Sequence, residues 1–187
     1  MTLLESDSEL SKGDDAPDFE LPAAAGGTYS LADFGDYDAL LVVFTCNHCP
    51  YAEAKVDELN HLAEAYDDLA VVGINPNDAE EYPDDSIERM EERVTAGGVG
   101  FTAYIRDESQ KVARSYGAVC TPDPFLFERD AEGFRLAFQS RIDDAMSPNE
   151  DADRYEMREA VEAVLAGDPV PFEATPSQGC SIKWTDE

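Results

Sequence analysis

The chain has 187 residues, 43% of them hydrophobic, which suits one domain with its own core and excludes a disordered chain. Thirteen basic against 42 acidic residues leave a formal charge of −29. Such a surface repels phosphates and anionic lipid, so neither nucleic acid nor membrane is an expected partner. Only four cations are lysines, Lys12, Lys55, Lys111 and Lys183. At molar salt the Debye length falls to about 3 Å and the self-repulsion of such a surface fades, so the composition predicts a halophilic protein of a salt-rich cytosol. The longest apolar run, Ala39 to Phe44, falls well short of the roughly 18 residues a membrane span needs. The acidic start lacks the basic and apolar regions of a secretory signal, so the expected location is the cytoplasm.

Residues 1–12 read as a loose acidic lead. Phe19 to Leu21 and Thr28 to Ser30 flank Gly26-Gly27 and predict a small hairpin. Ala39 to Thr45 is an unbroken apolar run of strand length, as in a strand buried on both faces. A helix is expected from Pro50, which suits a first turn, with Val56, Leu59, Ala63 and Tyr66 at helical spacing. Leu69 to Asn75 is the next buried strand, completing a βαβ unit. Asp85 or Ser86 can cap a helix whose inner face is Ile87, Met90 and Val94. Gln110 to Tyr116 reads as a short helix closed by Gly117. Phe125 to Phe127 and Phe134 to Phe138 form a second hairpin around Asp130 to Gly133, and a last helix spans about 151–165. The chain then divides into the lead, a domain over 13–167 and an extended strap over 168–187, which Trp184 anchors. The order predicts an α/β sandwich with a parallel and an antiparallel half.

Four cysteines, Cys46, Cys49, Cys120 and Cys180, are too few for a disulfide framework at this length. Cys46 and Cys49 are three apart between a strand and a helix, which points to redox chemistry or a metal. Unpaired amides, the helix dipole, Cys49 and an imidazolium at His48 would all favour a thiolate at Cys46. A stabilised thiolate predicts a more oxidising disulfide than that of ordinary thioredoxins. Haem attachment is excluded, because Pro50 follows the second cysteine where a histidine is required. Thr121-Pro122 precedes a strand, where a cis bond would lay the loop against the cysteine pair; the alternative is a trans proline entering an edge strand.

These segments carry a resemblance. Gly13-Asp-Asp-Ala-Pro-Asp-Phe19, Phe44-Thr-Cys-Asn-His-Cys-Pro-Tyr51, Cys120-Thr-Pro-Asp-Pro-Phe-Leu-Phe127 and Gln178-Gly-Cys-Ser-Ile-Lys-Trp184 resemble the thioredoxin-fold superfamily. The branch is that of alkyl hydroperoxide reductase and thiol-specific antioxidant (the redoxins), and within it the peroxiredoxin-like subgroup with a CxxC motif. The resemblance implies a thioredoxin-like three-layer sandwich around a mixed sheet, with an N-terminal hairpin and the C-terminal strap. It implies that Cys46 and Cys49 are the redox pair, flanked by His48, and that Pro122 is a cis-proline with Thr121 beside it. Thr45 stands where thioredoxins usually have tryptophan. In peroxiredoxins the cysteine follows a threonine by three positions, and counted from Thr45 that position is His48. Arg141 is a candidate to orient a peroxide, set against an ordinary ion pair with Asp143 or Asp144.

The expected function is thiol–disulfide exchange, with Cys46 as nucleophile and Cys49 as resolving thiol. The alternatives are a thiol peroxidase acting through Cys46 and a non-enzymatic zinc site of all four cysteines. The implied partners are protein or small-molecule disulfides, or peroxides, and a thiol reductant. No cofactor or metal is expected of the enzyme. Cys120 reads as a buried hydrophobe. Cys180 is a second resolving thiol, an intermolecular one or an idle one. Glu53 and His61 read as ordinary polar helix positions.

Overall fold

The computed structural model describes residues 2–186. Strands β1 (Leu3–Glu5), β2 (Glu20–Pro22) and β3 (Thr28–Ser30) precede β4 (Ala39–Phe44), and α1 (Pro50–Glu53) and α2 (Val56–Ala65) lead to β5 (Leu69–Asn75). Then come α3 (Ile87–Thr95), β6 (Ala103–Arg106), α4 (Lys111–Tyr116), β7 (Cys120–Thr121), β8 (Asp123–Arg129) and β9 (Phe134–Gln139). Helix α5 (Glu156–Leu165) and strand β10 (Gln178–Ser181) complete the order. No helix among the described residues is long and apolar enough to cross a membrane.

The central sheet runs β6-β5-β4-β8-β9. β4 pairs parallel with β5, and β5 with β6, while β8 and β9 are antiparallel. The alternation of side chains along β4 divides the core in two. Leu40, Val42 and Phe44 face a cluster that includes Tyr116 of α4 and Phe19 and Leu21 of the hairpin region. Leu41 and Val43 face Leu59 and Leu62 of α2 and Met157 and Val161 of α5. Helices on one face and helix plus hairpin on the other make the mixed three-layer sandwich expected from the resemblance. Each fully buried leucine or phenylalanine in these layers contributes about 1.5–3 kcal/mol.

The β2–β3 hairpin, β4, β5, the Ser86 cap of α3 and the left-handed Gly117 after α4 stand where the sequence placed them. Four features differ. The helix expected from Pro50 is two helices. Lys55 bonds back to the Ala52 carbonyl at 3.1 Å in a tight turn, and its ammonium pairs with Asp143 and with the Ala145 carbonyl. Strand β6 was not foreseen; it is four residues long and ends in a buried arginine, Arg106. The last helix begins at Glu156, because the residues before it turn back, and the Asp153 and Arg154 amides donate to Asp144. The acidic lead is not loose: β1 pairs antiparallel with β10, so the lead and the strap hold each other.

Part of the strap, Gln178–Ser181, is a strand. β10 lies between β1 and β7, with Cys180 opposite Thr121 and Ser181 opposite Cys120. Gly179 permits the approach, since a Cβ there would lie 1.9 Å from the Thr121 carbonyl oxygen. Beyond β10, the Lys183 carbonyl accepts from Asp78 N at 2.8 Å, and Trp184 packs against the core under the Arg114 guanidinium, 4.4 Å from its ring centre.

Candidate functional site

The parallel strands β4 and β5 end side by side, and the loops after them carry the polar groups of the site, as open α/β sheets place their sites at the carboxyl ends of strands. Six residues after the end of β4, Pro50 opens α1 and Cys49 occupies its N-cap position in extended conformation. Cys46 therefore lies in the loop before the helix rather than on its first turn. Cys46 and Cys49 are both buried, 1% and 0% exposed. The Thr121–Pro122 bond is cis, as expected, and brings Thr121 onto the cysteines. Its hydroxyl is 3.4 Å from Cys46 Sγ and its carbonyl oxygen is 3.6 Å from Cys49 Sγ.

The disulfide is not the one expected. Cys49 is bonded to Cys180 across 131 positions, with Cα atoms 6.4 Å apart, inside the range such bonds adopt. Cys46 and Cys120 are thiols. The pairing follows from the register of β10: with Cys180 opposite Thr121, its side chain joins Cys46, Cys49 and Ala52 in a single cluster. In this state Cys180 is engaged in a disulfide within the chain. A zinc site of all four cysteines does not fit, because two of them share a disulfide and Cys120 lies outside the cluster.

The thiolate expectation at Cys46 also needs correction. Burial and the neighbouring Asp85 carboxylate push the thiol up to about 11, against the pull of the Thr121 hydroxyl and the Cys49 and His48 amides. A one-turn helix supplies little dipole. His48 Nδ1 is bonded to Asp85, and its ring stacks on Tyr82 with centroids 5.0 Å apart.

Asp85 is the group that the sequence assigned to a helix cap and nothing more. Fully buried, it accepts from the Asn47 amide at 2.6 Å, Asn75 Nδ2 at 3.1 Å, Asn77 Nδ2 at 3.0 Å and His48 Nδ1. Asn77 also accepts from Lys183 N at 2.9 Å, which links the strap to the loop. Asn47 completes the shell, its side-chain oxygen accepting from Tyr104 at 2.8 Å and from Arg93 at 3.2 Å. The signal that could have found this set is Asn75-Pro76-Asn77, two amides at the end of a parallel strand.

Donor atoms of Cys46, His48 and Asp85 lie within 4.8 Å of one another, a spacing that a small cation could bridge. Asp85 already accepts four hydrogen bonds, about as many as its lone pairs take, and keeps none for an ion.

The remaining candidates fall outside the sulfur cluster. Thr45 is buried, and its hydroxyl has no hydrogen-bond partner among the described residues. The Cys120 thiol lies 3.9 Å from the Pro122 carbonyl oxygen, and burial pushes it well up. Arg141 pairs with neither Asp143 nor Asp144; its fork takes Glu156 through two bonds of 2.7 Å, the geometry that guanidinium and carboxylate share. Glu53 pairs with Arg93 at 2.8 Å on the surface, and His61 is exposed.

Residues 12–134 match the model of the AhpC/TSA family. A hypothetical protein from Sinorhizobium meliloti is 44% identical, with 98% of this chain and 99% of that one covered and a TM-score of 0.90. The thioredoxin domain of a thiol-disulfide oxidoreductase from Bacteroides vulgatus is similar at 18% identity and a TM-score of 0.56, over 70% of this chain and 89% of that one. Peroxidoxin BcpB from Mycobacterium tuberculosis is similar at 15% identity and 0.58, over 84% and 96%. The last two likenesses show the fold alone. No curated protein matches the chain. With the family model spanning about two thirds of the sequence, the chain belongs to the AhpC/TSA family of thioredoxin-fold redox proteins.

Proposed function

We propose that the protein is a thiol–disulfide oxidoreductase in which Cys46 attacks a substrate disulfide and Cys49 resolves the mixed disulfide. The observation that supports this reading most is a thiol and a disulfide packed in one buried cluster against a cis-proline loop. Such a cluster can exchange disulfides as soon as Cys46 loses its proton. Cys46→Ser is expected to abolish reduction of a model disulfide, and full turnover by that variant would overturn the reading.

The peroxidase alternative draws on the family and on the peroxidoxin likeness. It lacks a cation at the sulfur: the charge that bears most on Cys46 is Asp85, and Arg141 is held by Glu156. Rapid, saturable peroxide consumption that depends on Cys46 would favour it.

The setting belongs to the proposal: a cytosol with molar salt. The net charge of −29 supports it, as do eight of the lysines and arginines standing in ion pairs among the described residues. The Tm is expected to rise from dilute to molar KCl, by about 2–4 °C for each kcal/mol of repulsion relieved at this size. A Tm that does not rise would contradict it.

A further inference from the structure

A dithiol mechanism uses two sulfurs, and this centre holds three. Cys46, Cys49 and Cys180 share one cluster, with Cys49–Cys180 bonded and Cys46 a thiol. Cys46 lies three residues before Cys49, in the loop that leads to the N-cap of α1. Thr121 touches all three cysteines: its hydroxyl meets Cys46, its carbonyl oxygen meets Cys49, and its backbone pairs with Cys180.

The strand that delivers Cys180 is built for that place. Ser177 Oγ donates to the Pro122 carbonyl at 2.6 Å, and Ile182 N donates to the Val119 carbonyl at 3.0 Å. β10 is thereby fixed on both sides of the cis-proline turn, and only glycine at 179 lets it lie so close.

We propose that Cys180 is the third redox thiol and that the molecule interconverts two internal disulfides, Cys49–Cys180 and Cys46–Cys49. The inference rests on the oxidoreductase reading above. In the exchange, Cys46 gives up its proton and its thiolate attacks Cys49 Sγ. The Cys46–Cys49 bond forms as the Cys49–Cys180 bond breaks. The electron pair leaves on Cys180 sulfur, which takes up a proton. One disulfide and one thiol stand on each side, so the step consumes no outside oxidant or reductant. Its consequence is mechanical as well as chemical. β10 is covalently tied to the redox loop in one isomer and held only by hydrogen bonds in the other.

The test uses the full chain in molar KCl. Reduced protein receives one equivalent of oxidised glutathione and is quenched with acid at increasing times. Remaining thiols are then alkylated under denaturing conditions, and the bridges are mapped by mass spectrometry without reduction. Both bridges are expected in the wild type, with Cys46–Cys49 and Cys49–Cys180 settling to a fixed ratio. Cys180→Ser is expected to hold Cys46–Cys49 alone and Cys46→Ser to hold Cys49–Cys180 alone. A wild type that carries only one of the two bridges at all times would overturn the proposal, and that result needs no variant to fold. Turnover of a model disulfide by Cys46→Ser separates the two readings. Lost turnover with a single wild-type bridge overturns the exchange and keeps the oxidoreductase reading, whereas retained turnover overturns both.

Discussion

Asp85 and Asp123 are equally buried, at 0% exposure, and each borders the redox loop, yet they are solvated by the protein in opposite ways. Asp85 sits beside Cys46 with four donors on its two oxygens. Asp123 follows cis-Pro122 directly. Ser6 Oγ donates to its Oδ1 at 2.6 Å and Gln139 Nε2 reaches it at 3.5 Å, while Oδ2 has no partner among the described residues. Burial pushes the Asp123 carboxyl up to about 7, against the pull of Ser6, Gln139 and the Val119 amide. Equal depth of burial thus goes with unequal compensation: four donors hold the Asp85 oxygens, whereas one Asp123 oxygen is left without any among the described residues.

The sharpest way to break this comparison is to remove Asp85. Asp85→Ala leaves the Asn75 and Asn77 amides, the Asn47 N–H and His48 facing an empty space. Breaking one side of such a buried charged network costs about 3–5 kcal/mol. Urea unfolding in molar KCl should show a loss of that size, together with a changed Cys46 alkylation rate as the loop loosens. A loss below about 1 kcal/mol, the worth of one ordinary hydrogen bond, would mean that the four contacts are not holding the loop.

Asp123 should respond with the other sign. Its folded pKa of about 7 lies above the unfolded value near 3.9, so the neutral form is favoured by folding. Stability linked to this group is fully present below about pH 4, declines as pH climbs toward 7, and stays low above that. Asp123→Asn imitates the neutral form and lacks this slope. The variant should gain on the wild type as pH rises from 5 to 8, by a few kcal/mol at most. Parallel stability curves for the two proteins across that window would refute the assignment.

The two carboxylates also mark what the sequence could reveal. Strands β4 and β5 were legible because both faces are buried and the runs are apolar throughout. The Ser86 cap and Gly117 were legible because each acts within a turn of itself. Cys46, Cys49 and Pro122 announced themselves for the same reason, as contiguous motifs between recognisable elements. Strand β6 was hidden by its length and its terminal Arg106. What stayed out of reach was non-local. Asp85 acts on residues 37 and 38 positions away, and its place before a helix offered a sufficient local explanation. Cys180 meets Cys49 over 131 positions, through a register that only the assembled β1-β10-β7 sheet defines. The direction of the Cys46 shift was misjudged because spacing reports which groups are near in sequence, not how much water reaches them.

The smallest effect tests the comparison at its finest grain. Ser6 belongs to the lead, just after β1, and its hydroxyl is the shortest hydrogen bond to Asp123, while it accepts from Gln139 Nε2 at 2.8 Å. Ser6→Ala removes a donor from the charged form, so the Asp123 carboxyl should titrate still higher than about 7. The stability cost should then depend on pH. Below pH 6, where the carboxyl is neutral, the variant loses about 0.5–1.5 kcal/mol, as for one hydrogen bond. Above pH 8 the loss grows, because the ionised oxygen has lost its best donor. A cost that is the same at both ends would place the Ser6 contribution in strand packing alone. A growing cost ties the acidic lead, through one hydroxyl, to the charge at the exit of the cis-proline turn.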